Sequence, residues 1–232
     1  MQLPETEATM FEGIMGPQRL LNKNFLLLCS GQVLSSIGSQ FSIIALAFWV
    51  KHATESAAIM GSILMIGSIP AVLLGPIAGT LADRFARRRI IIICDILNGL
   101  AALSLAGLMV SFPENTSAAL AWLAVVTVFA GTMSCFLQPA LIAAIPDVVP
   151  VKRLASANSV AQFLMQATVF LGQGTGGLLY RLLGAPLVFA IDGLTFLVSA
   201  LCAIFTTIPQ TIPEKSAGLK LHLQDFRKDL SE

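Results

Sequence analysis

The sequence predicts an all-α integral membrane protein with six transmembrane helices, and three observations lead to this prediction. Hydrophobic residues make up 56% of the 232 residues and charged residues 12%, whereas soluble domains carry about 25% charged residues. The mean hydropathy is +0.82. Most of the charges lie between apolar runs that match or exceed the ~20 residues a helix needs to cross a bilayer. The lipid bilayer is therefore an expected partner, and no nucleic-acid partner is expected.

Six apolar runs are long enough to span a membrane. They cover residues 25–50, 57–82, 90–112, 118–145, 155–183 and 186–208, with a tight turn at Gly184 and Pro186 predicted between the last two. We divide the chain into a cytoplasmic N-terminal segment (1–23), a six-helix bundle (24–208) and a cytoplasmic linker (209–232). In the linker, large apolar residues at helical spacing predict an amphipathic helix on the membrane face.

Lys and Arg set the predicted orientation. With the N-terminus inside, the inner segments hold twelve of the 14 basic residues, and the outer ones hold only Lys51 and Arg181. Cytoplasmic loops carry an excess of Lys and Arg. Both termini are therefore predicted to be cytoplasmic.

The basic connector between the second and third runs has the most specific pattern in the chain. It reads Gly79-x-Leu-Ala-Asp83-Arg84-x-x-Arg87-Arg88. Gly75 and Gly79 form a pair of small residues four apart, which lets another helix approach closely. Pro70 and Pro76 are expected to kink the helix before it. The Asp83 carboxylate can accept hydrogen bonds from backbone amides or pair with the arginines.

This connector resembles the signature loop between helices two and three of major facilitator superfamily transporters. Two further motifs are similar to a drug-efflux branch that includes macrolide and enterobactin exporters: Gln138-Pro-Ala-Leu-Ile-Ala-Ala-Ile-Pro-Asp-Val-Val-Pro150 followed by Leu154-Ala-Ser-Ala-Asn158, and Ala190-Ile-Asp192-Gly-Leu-Thr-Phe196. Gly172-Gln-Gly-Thr-Gly176-Gly177 resembles the glycine motif of antiporters, with Gln173 in place of that motif's Pro.

The resemblance implies one half of a twelve-helix major facilitator fold, with a C-terminal six-helix half as the missing partner. It implies a multi-pass protein of a bacterial inner membrane. The expected function is secondary active efflux of drug-like or siderophore-like small amphiphiles by alternating access, with proton coupling left open. The alternative is a truncated remnant that does not transport, or an accessory membrane subunit.

The resemblance also implies a latch, made by the basic connector, between the two halves. Gly79, Asp83, Arg84 and Arg87 are assigned to it, with Gly75 beside them. Arg88 belongs to the same motif, but for Arg88 and Arg89 a role as topology anchors is favoured. These residues are the gating candidates.

Polar side chains on two spans are the candidate contacts for a small-molecule substrate. They are Gln32, Ser36 and Gln40 on the first span and Gln162 and Gln166 on the fifth. Polar residues inside a membrane span usually face a bundle interior or a water-filled cavity. The alternative is hydrogen bonding between helices, which is weighed equally for Gln162 and Gln166 and favoured for the others.

Two acids lie within the predicted spans, Asp95 and Asp192. Asp95 is expected to pair with the basic connector rather than to transfer protons, and Asp192 to make a structural hydrogen bond. His52 and His222 lie outside the spans, and no HExxH or GxSG motif is present. We therefore expect no enzyme activity, catalytic residue, metal site or cofactor.

Overall fold

The computed structural model describes residues 22–207, apart from the side chains of residues 76, 77 and 80–84. The predicted N-terminal segment up to residue 21 and the linker with its amphipathic helix lie outside the described residues. The regular secondary structure of the described part is helical, and this part contains no strand. Its elements are α1 (Lys23–Thr54), α2 (Ala57–Ile66), α3 (Ile69–Arg84), α4 (Arg87–Ser111), α5 (Thr116–Val148), a short 3-10 turn (Val151–Arg153) and α6 (Leu154–Phe205).

Five stretches of the described chain are helical, long and apolar enough to cross a membrane. They are Lys23–Thr54, Ala57–Gly75, Arg87–Ser111, Thr116–Val148 and Val151–Phe205. The all-helical prediction is confirmed for the described residues. The fifth and sixth predicted spans lie together on α6, so the count of six stays a prediction.

Helix α6 changes direction at Gly184. This residue has φ 76° and ψ 167°, which is not helical, and a positive φ is readily adopted only by glycine. It divides α6 into a first limb (154–183) and a second limb (185–205).

The contacts of α1 give the directions of the two limbs. Along α1, Ser36 contacts Met165 and Phe48 stacks on Tyr180, so the first limb runs parallel to α1. Asn24 binds Thr207 and Ser39 binds Asp192, so the second limb runs antiparallel to it. The chain therefore reverses at the predicted turn, and α1 packs against both limbs.

The second predicted span is interrupted between α2 and α3. Residues 67 and 68 form a turn just before Pro70. A proline ring lacks an N–H and clashes with the carbonyl four residues earlier, which here belongs to Ile66. The predicted kink at Pro70 is confirmed. A kink was also predicted at Pro76, and helix α3 continues through this residue.

Helix α5 ends later than predicted. The sequence interpretation placed residues 146–153 in a connector, but α5 continues through Pro139 and Pro146 to Val148. Asp147 is therefore part of the last helical turn. This change brings its carboxylate beside the basic connector.

The apolar core divides into three clusters along the bundle. One end is filled by side chains such as Val50, Leu105, Leu123 and Val188. A middle cluster joins Leu28, Ile91, Ala140, Ala144 and Ala203, and the opposite end contains Phe25, Val148, Val149 and Ala157.

The start of α1, the end of α5 and the end of α6 meet at one end of the bundle. Asn22 donates to the Val148 carbonyl at 2.6 Å, and the Thr207 N–H donates to Asn24 Oδ1 at 3.2 Å. The described basic segments predicted to lie inside are thus brought together. Their position relative to a membrane stays a prediction.

Candidate functional site

A small apolar cleft of about 50 Å³ lies between α1, α5 and the first limb of α6. Most of its wall is aliphatic, and Gln32 supplies the one amide side chain. The lining residues are Leu28, Cys29, Gln32, Val33, Leu141, Ile145, Ala161, Leu164 and Met165. The wall is almost wholly apolar, and the cleft is much smaller than the roughly 300–1,000 Å³ of ordinary ligand pockets.

Gln32 is also part of a buried hydrogen-bond network that joins three helices. Its Nε2 donates to Asp95 Oδ2 on α4 at 3.1 Å and to Ser199 Oγ on the second limb at 3.0 Å. Ser199 Oγ in turn donates to the same Asp95 oxygen at 2.7 Å. All three side chains are buried. A substrate candidate therefore also ties α1 to α4 and α6.

The expectation that Asp95 pairs with the basic connector was wrong. Its carboxylate is 0% exposed and receives the Gln32 and Ser199 donors. Among the described residues, Arg87 of the connector forms an ion pair with Asp147 and not with Asp95. Asp95 begins the third turn of α4, which carries it away from the connector and into the bundle.

Two other candidates on α1 lie at its interface with the first limb of α6. Ser36 Oγ contacts Met165 Sδ at 3.4 Å. Gln40 packs its Cβ against Gly172, where an added Cβ would come within 2.3 Å of it. The structure gives both residues a packing role at this interface, and neither lines the cleft.

Gln162 and Gln166 lie on the outer surface of the first limb. Both are exposed, as are Asn158 before them and Gln173 after them on the same helix. They do not line the cleft, which is bounded instead by Ala161, Leu164 and Met165. A side-chain amide that faces lipid without a hydrogen-bond partner costs free energy. We therefore expect water or another protein surface beside these four exposed amides.

Asp192 makes a hydrogen bond of the kind expected from the sequence. Its Oδ1 accepts from Ser39 Oγ on α1 at 3.3 Å. The two helices are close here because Gly38 lies opposite Thr195, whose Oγ1 would be 2.3 Å from an added Cβ. Asp192 thus helps to hold the second limb on α1.

The basic connector joins the ends of two other helices. Arg87 Nη1 donates to Asp147 Oδ2 and to the Ala143 carbonyl, both at 2.7 Å, which fixes the start of α4 to the end of α5. Arg88 was favoured as a topology anchor. Its guanidinium also donates to the Ala203 and Ile204 carbonyls in the last turn of α6. Basic side chains often satisfy the free carbonyls at helix C-termini.

Gly75 and Gly79 have open space beside them within the described chain. An added Cβ at Gly75 or Gly79 would meet no atom within 4 Å, so the close helix approach predicted there is not found in this part of the protein. The side chains of Asp83 and Arg84 lie outside the described residues.

Three polar residues at these sites were not predicted. Asp147 belongs to a motif without an assigned role, and no role was predicted for Ser199 or for the buried Asn98. Ser199 lies seven residues after Asp192, and Asn98 lies three after Asp95, so each shares a helix face with an intramembrane acid. This helical spacing from an intramembrane acid is the sequence feature that could have identified Ser199 and Asn98.

The family model of the Major Facilitator Superfamily matches residues 28–230. Macrolide efflux protein A of Streptococcus pyogenes is 25% identical over 187 residues, which are 80% of this chain and 45% of that protein. Multidrug resistance protein 2 of Bacillus subtilis is 24% identical, covering 89% of this chain and 50% of that protein.

A third relative has a similar relation to the chain. Multidrug efflux pump Tap of Mycolicibacterium fortuitum is 28% identical over 165 residues, which are 68% of this chain and 39% of that protein. The chain thus spans about half the length, or less, of these relatives.

Proposed function

Because this chain belongs to the Major Facilitator Superfamily, we propose that it forms the N-terminal half of a secondary active transporter that exports small amphiphilic molecules. The family consists of membrane transporters rather than enzymes. In this proposal the two antiparallel limbs of α6 cross the membrane separately, which makes six spans. Both termini lie in the cytoplasm, and the membrane is a bacterial inner membrane.

The observation that carries the proposal is the pair of exposed amides on the first limb of α6, Gln162 and Gln166, in a chain whose residues 28–230 match a transporter family. The cleft between α1, α5 and the first limb has an almost wholly apolar wall, which suits an apolar part of a ligand, while the Gln32 amide is turned to Asp95 and Ser199. The relatives that are named as efflux proteins handle macrolides or several drugs. The proposed substrates are therefore neutral or zwitterionic amphiphiles of this general kind.

The exposed amides on the first limb support a second half beside this one. Gln162 and Gln166 would face the central space between two halves, where water and substrate replace lipid. Gly75 and Gly79, which have open space beside them, would receive a helix of that second half. In alternating access the two halves rock against each other, and the latch made by the basic connector would open and close with that motion.

The experiment that tests this proposal measures macrolide accumulation in cells that express the chain together with a C-terminal half. Export should lower accumulation of labelled erythromycin. Asp83→Asn should abolish or strongly slow export, because it removes the charge that the proposed hydrogen bonds from backbone amides or arginines to Asp83 require. One such charge-assisted bond contributes about 1.5–3 kcal/mol, enough to shift the equilibrium between the closed and open latch roughly ten- to a hundredfold.

Arg89→Lys is the matched control, because it keeps the charge of the connector and should export normally. The amount of protein in the membrane is measured for each variant. Normal export by Asp83→Asn would show that the connector only sets topology. If erythromycin and other amphiphiles accumulate equally with and without the protein, the transport proposal fails and a non-transporting role takes its place.

A further inference from the structure

Three basic residues lie where α1, α5 and α6 meet at one end of the bundle. Lys23 is the first residue of α1, and Lys152 and Arg153 belong to the 3-10 turn between α5 and α6. All three are exposed, and the hydrogen bond from Asn22 to the Val148 carbonyl holds the start of α1 beside that turn. None of the three forms an ion pair with another described residue. Positive charge is therefore concentrated at this end of the bundle and is free to meet a negative group.

The same three helices bound the apolar cleft. Cys29 and Ile145 line it and also pack against the apolar cluster that fills this end of the bundle, so the cleft begins directly beyond that cluster. Most of the side chains that line the cleft are partly exposed rather than buried, which makes it an open groove in the surface of the bundle. An almost wholly apolar groove of about 50 Å³ suits part of a narrow apolar chain.

One face of the first limb of α6 connects the basic turn to this groove. Asn158, Ala161 and Met165 are spaced at i, i+3 and i+7 and so share a helix face. Asn158 is exposed, and the other two residues line the groove. At 1.5 Å per residue, Asn158 lies about 7.5 Å and Ala161 about 12 Å beyond Arg153 along the helix axis. The order along this face is therefore positive charge, a neutral amide and an apolar groove.

A phospholipid carries its chemical groups in the matching order, which is phosphate, ester carbonyl and acyl chain. The guanidinium of Arg153 can bind a phosphate through two N–H groups, and the Asn158 amide can donate to an ester carbonyl. Basic pockets between membrane helices bind anionic lipid headgroups. We propose that this face binds one anionic phospholipid, with its headgroup at Lys152 and Arg153 and part of one acyl chain in the groove.

The lipid site goes beyond the proposed transport function, because it requires only that this end of the bundle lies at a membrane surface. The bilayer then supplies the ligand directly at the open side of the groove. A lipid bound there would fill the space between α1, α5 and the first limb, and would give the exposed Asn158 amide a hydrogen-bond partner. It would thereby hold these three helices together at the basic end.

The test of the headgroup is native mass spectrometry of the full chain, titrated with phosphatidylglycerol or with phosphatidylcholine that carries the same acyl chains. One phosphatidylglycerol should bind at lower concentration than phosphatidylcholine. Arg153→Gln should weaken phosphatidylglycerol binding about fivefold, the contribution expected of one basic residue beside a lipid headgroup. Arg89→Gln is the matched control, because Arg89 is also exposed but begins α4, which does not line the groove. It should leave the affinity unchanged.

The test of the acyl chain uses two alanines of α6. Ala161→Leu places a larger side chain in the groove and should abolish binding of both lipids at concentrations that saturate the wild type. Ala155→Leu adds the same volume at an exposed position outside the groove and should bind both lipids normally. Circular dichroism checks that each variant is folded. If Ala161→Leu does not fold, a phosphatidylglycerol with chains too short to reach the groove takes its place and should bind more weakly than the long-chain lipid.

Each outcome supports or overturns one part of the proposal. Equal affinity for the two lipids, or unchanged affinity of folded Arg153→Gln, would overturn the headgroup site. Normal binding by folded Ala161→Leu, or equal affinity for the short-chain lipid, would overturn the seat of the acyl chain. Displacement of phosphatidylglycerol by inorganic phosphate at the same concentration would show a site for free anions only. A chain that binds neither lipid would leave the groove to a protein partner. None of these measurements requires export, so the lipid site and the transport proposal can fail separately.

Discussion

Substituting alanine for Gly172 should destabilise the bundle, whereas the same change at Gly174 should not. Both glycines lie in the motif that resembles that of antiporters. A Cβ added at Gly172 would lie 2.3 Å from Gln40 Cβ, whereas one added at Gly174 would meet no atom within 4 Å. The comparison isolates contact with α1, because both changes give the helix the same gain in intrinsic propensity.

The magnitude follows from the distance. Contacts of a Cβ below 3.0 Å are essentially never seen, so α1 and the first limb must separate by at least about 0.7 Å, and by more to reach the ~3.5–4.0 Å of ordinary carbon contacts. Inserting a methyl group into a packed core costs about 1–3 kcal/mol. Gly172→Ala should therefore be about 2 kcal/mol less stable than Gly174→Ala, roughly a thirtyfold change in the folding equilibrium.

The assay is SDS-induced unfolding of the detergent-purified chain, followed by circular dichroism and extrapolated linearly. Gly176→Ala provides an intermediate point, because its added Cβ would lie 3.1 Å from Ile44. The expected order of stability is Gly174→Ala, then Gly176→Ala, then Gly172→Ala. Equal unfolding midpoints for the three variants would refute the packing of the first limb on α1.

Two further predictions concern the same bundle. Gly131→Ala should destabilise it by about 1–3 kcal/mol, since its Cβ would lie 2.1 Å from the Gly67 carbonyl oxygen. Gly107→Ala is the control, because an added Cβ there has open space. Equal unfolding midpoints for the two variants would contradict the close approach of α5 to the turn between α2 and α3. Asp147→Asn should weaken the contact to Arg87, observed at 2.7 Å, by about 1.5 kcal/mol or more. Faster proteolysis of the connector in folded Asp147→Asn would support this, and an unchanged cleavage rate would contradict it.

The sequence predicted the elements that depend on local chemistry. The apolar runs predicted the helices, Pro70 predicted the break between α2 and α3, and Gly184 with Pro186 predicted the reversal in α6. Each of these rests on the preference of a few neighbouring residues. A kink at Pro76 was predicted on the same ground; helix α3 continues through this residue, and the kink stays a prediction.

The polar network depends on residues far apart in the chain, and the sequence could not predict its partners. Gln32 and Ser199 are 167 residues apart, and Arg87 and Asp147 are 60 apart. Charge alone suggested a partner for Asp95 in the nearby connector. Its true partners are neutral, and only the packing of α1 and α6 on α4 brings them together.

The position of α1 between the two limbs of α6 has a consequence for the order of assembly. α1 is the first described helix to leave the ribosome, and the surfaces that cover Gly31, Gly38 and Gln40 are made last. Until residues 154–205 have been synthesised, α1 stays in the bilayer with its small residues and Gln32 facing lipid or transient neighbours. Completion of the described bundle therefore depends on α6, and a chain interrupted before Gly184 would leave Gln32 without Ser199 and Ser39 without Asp192.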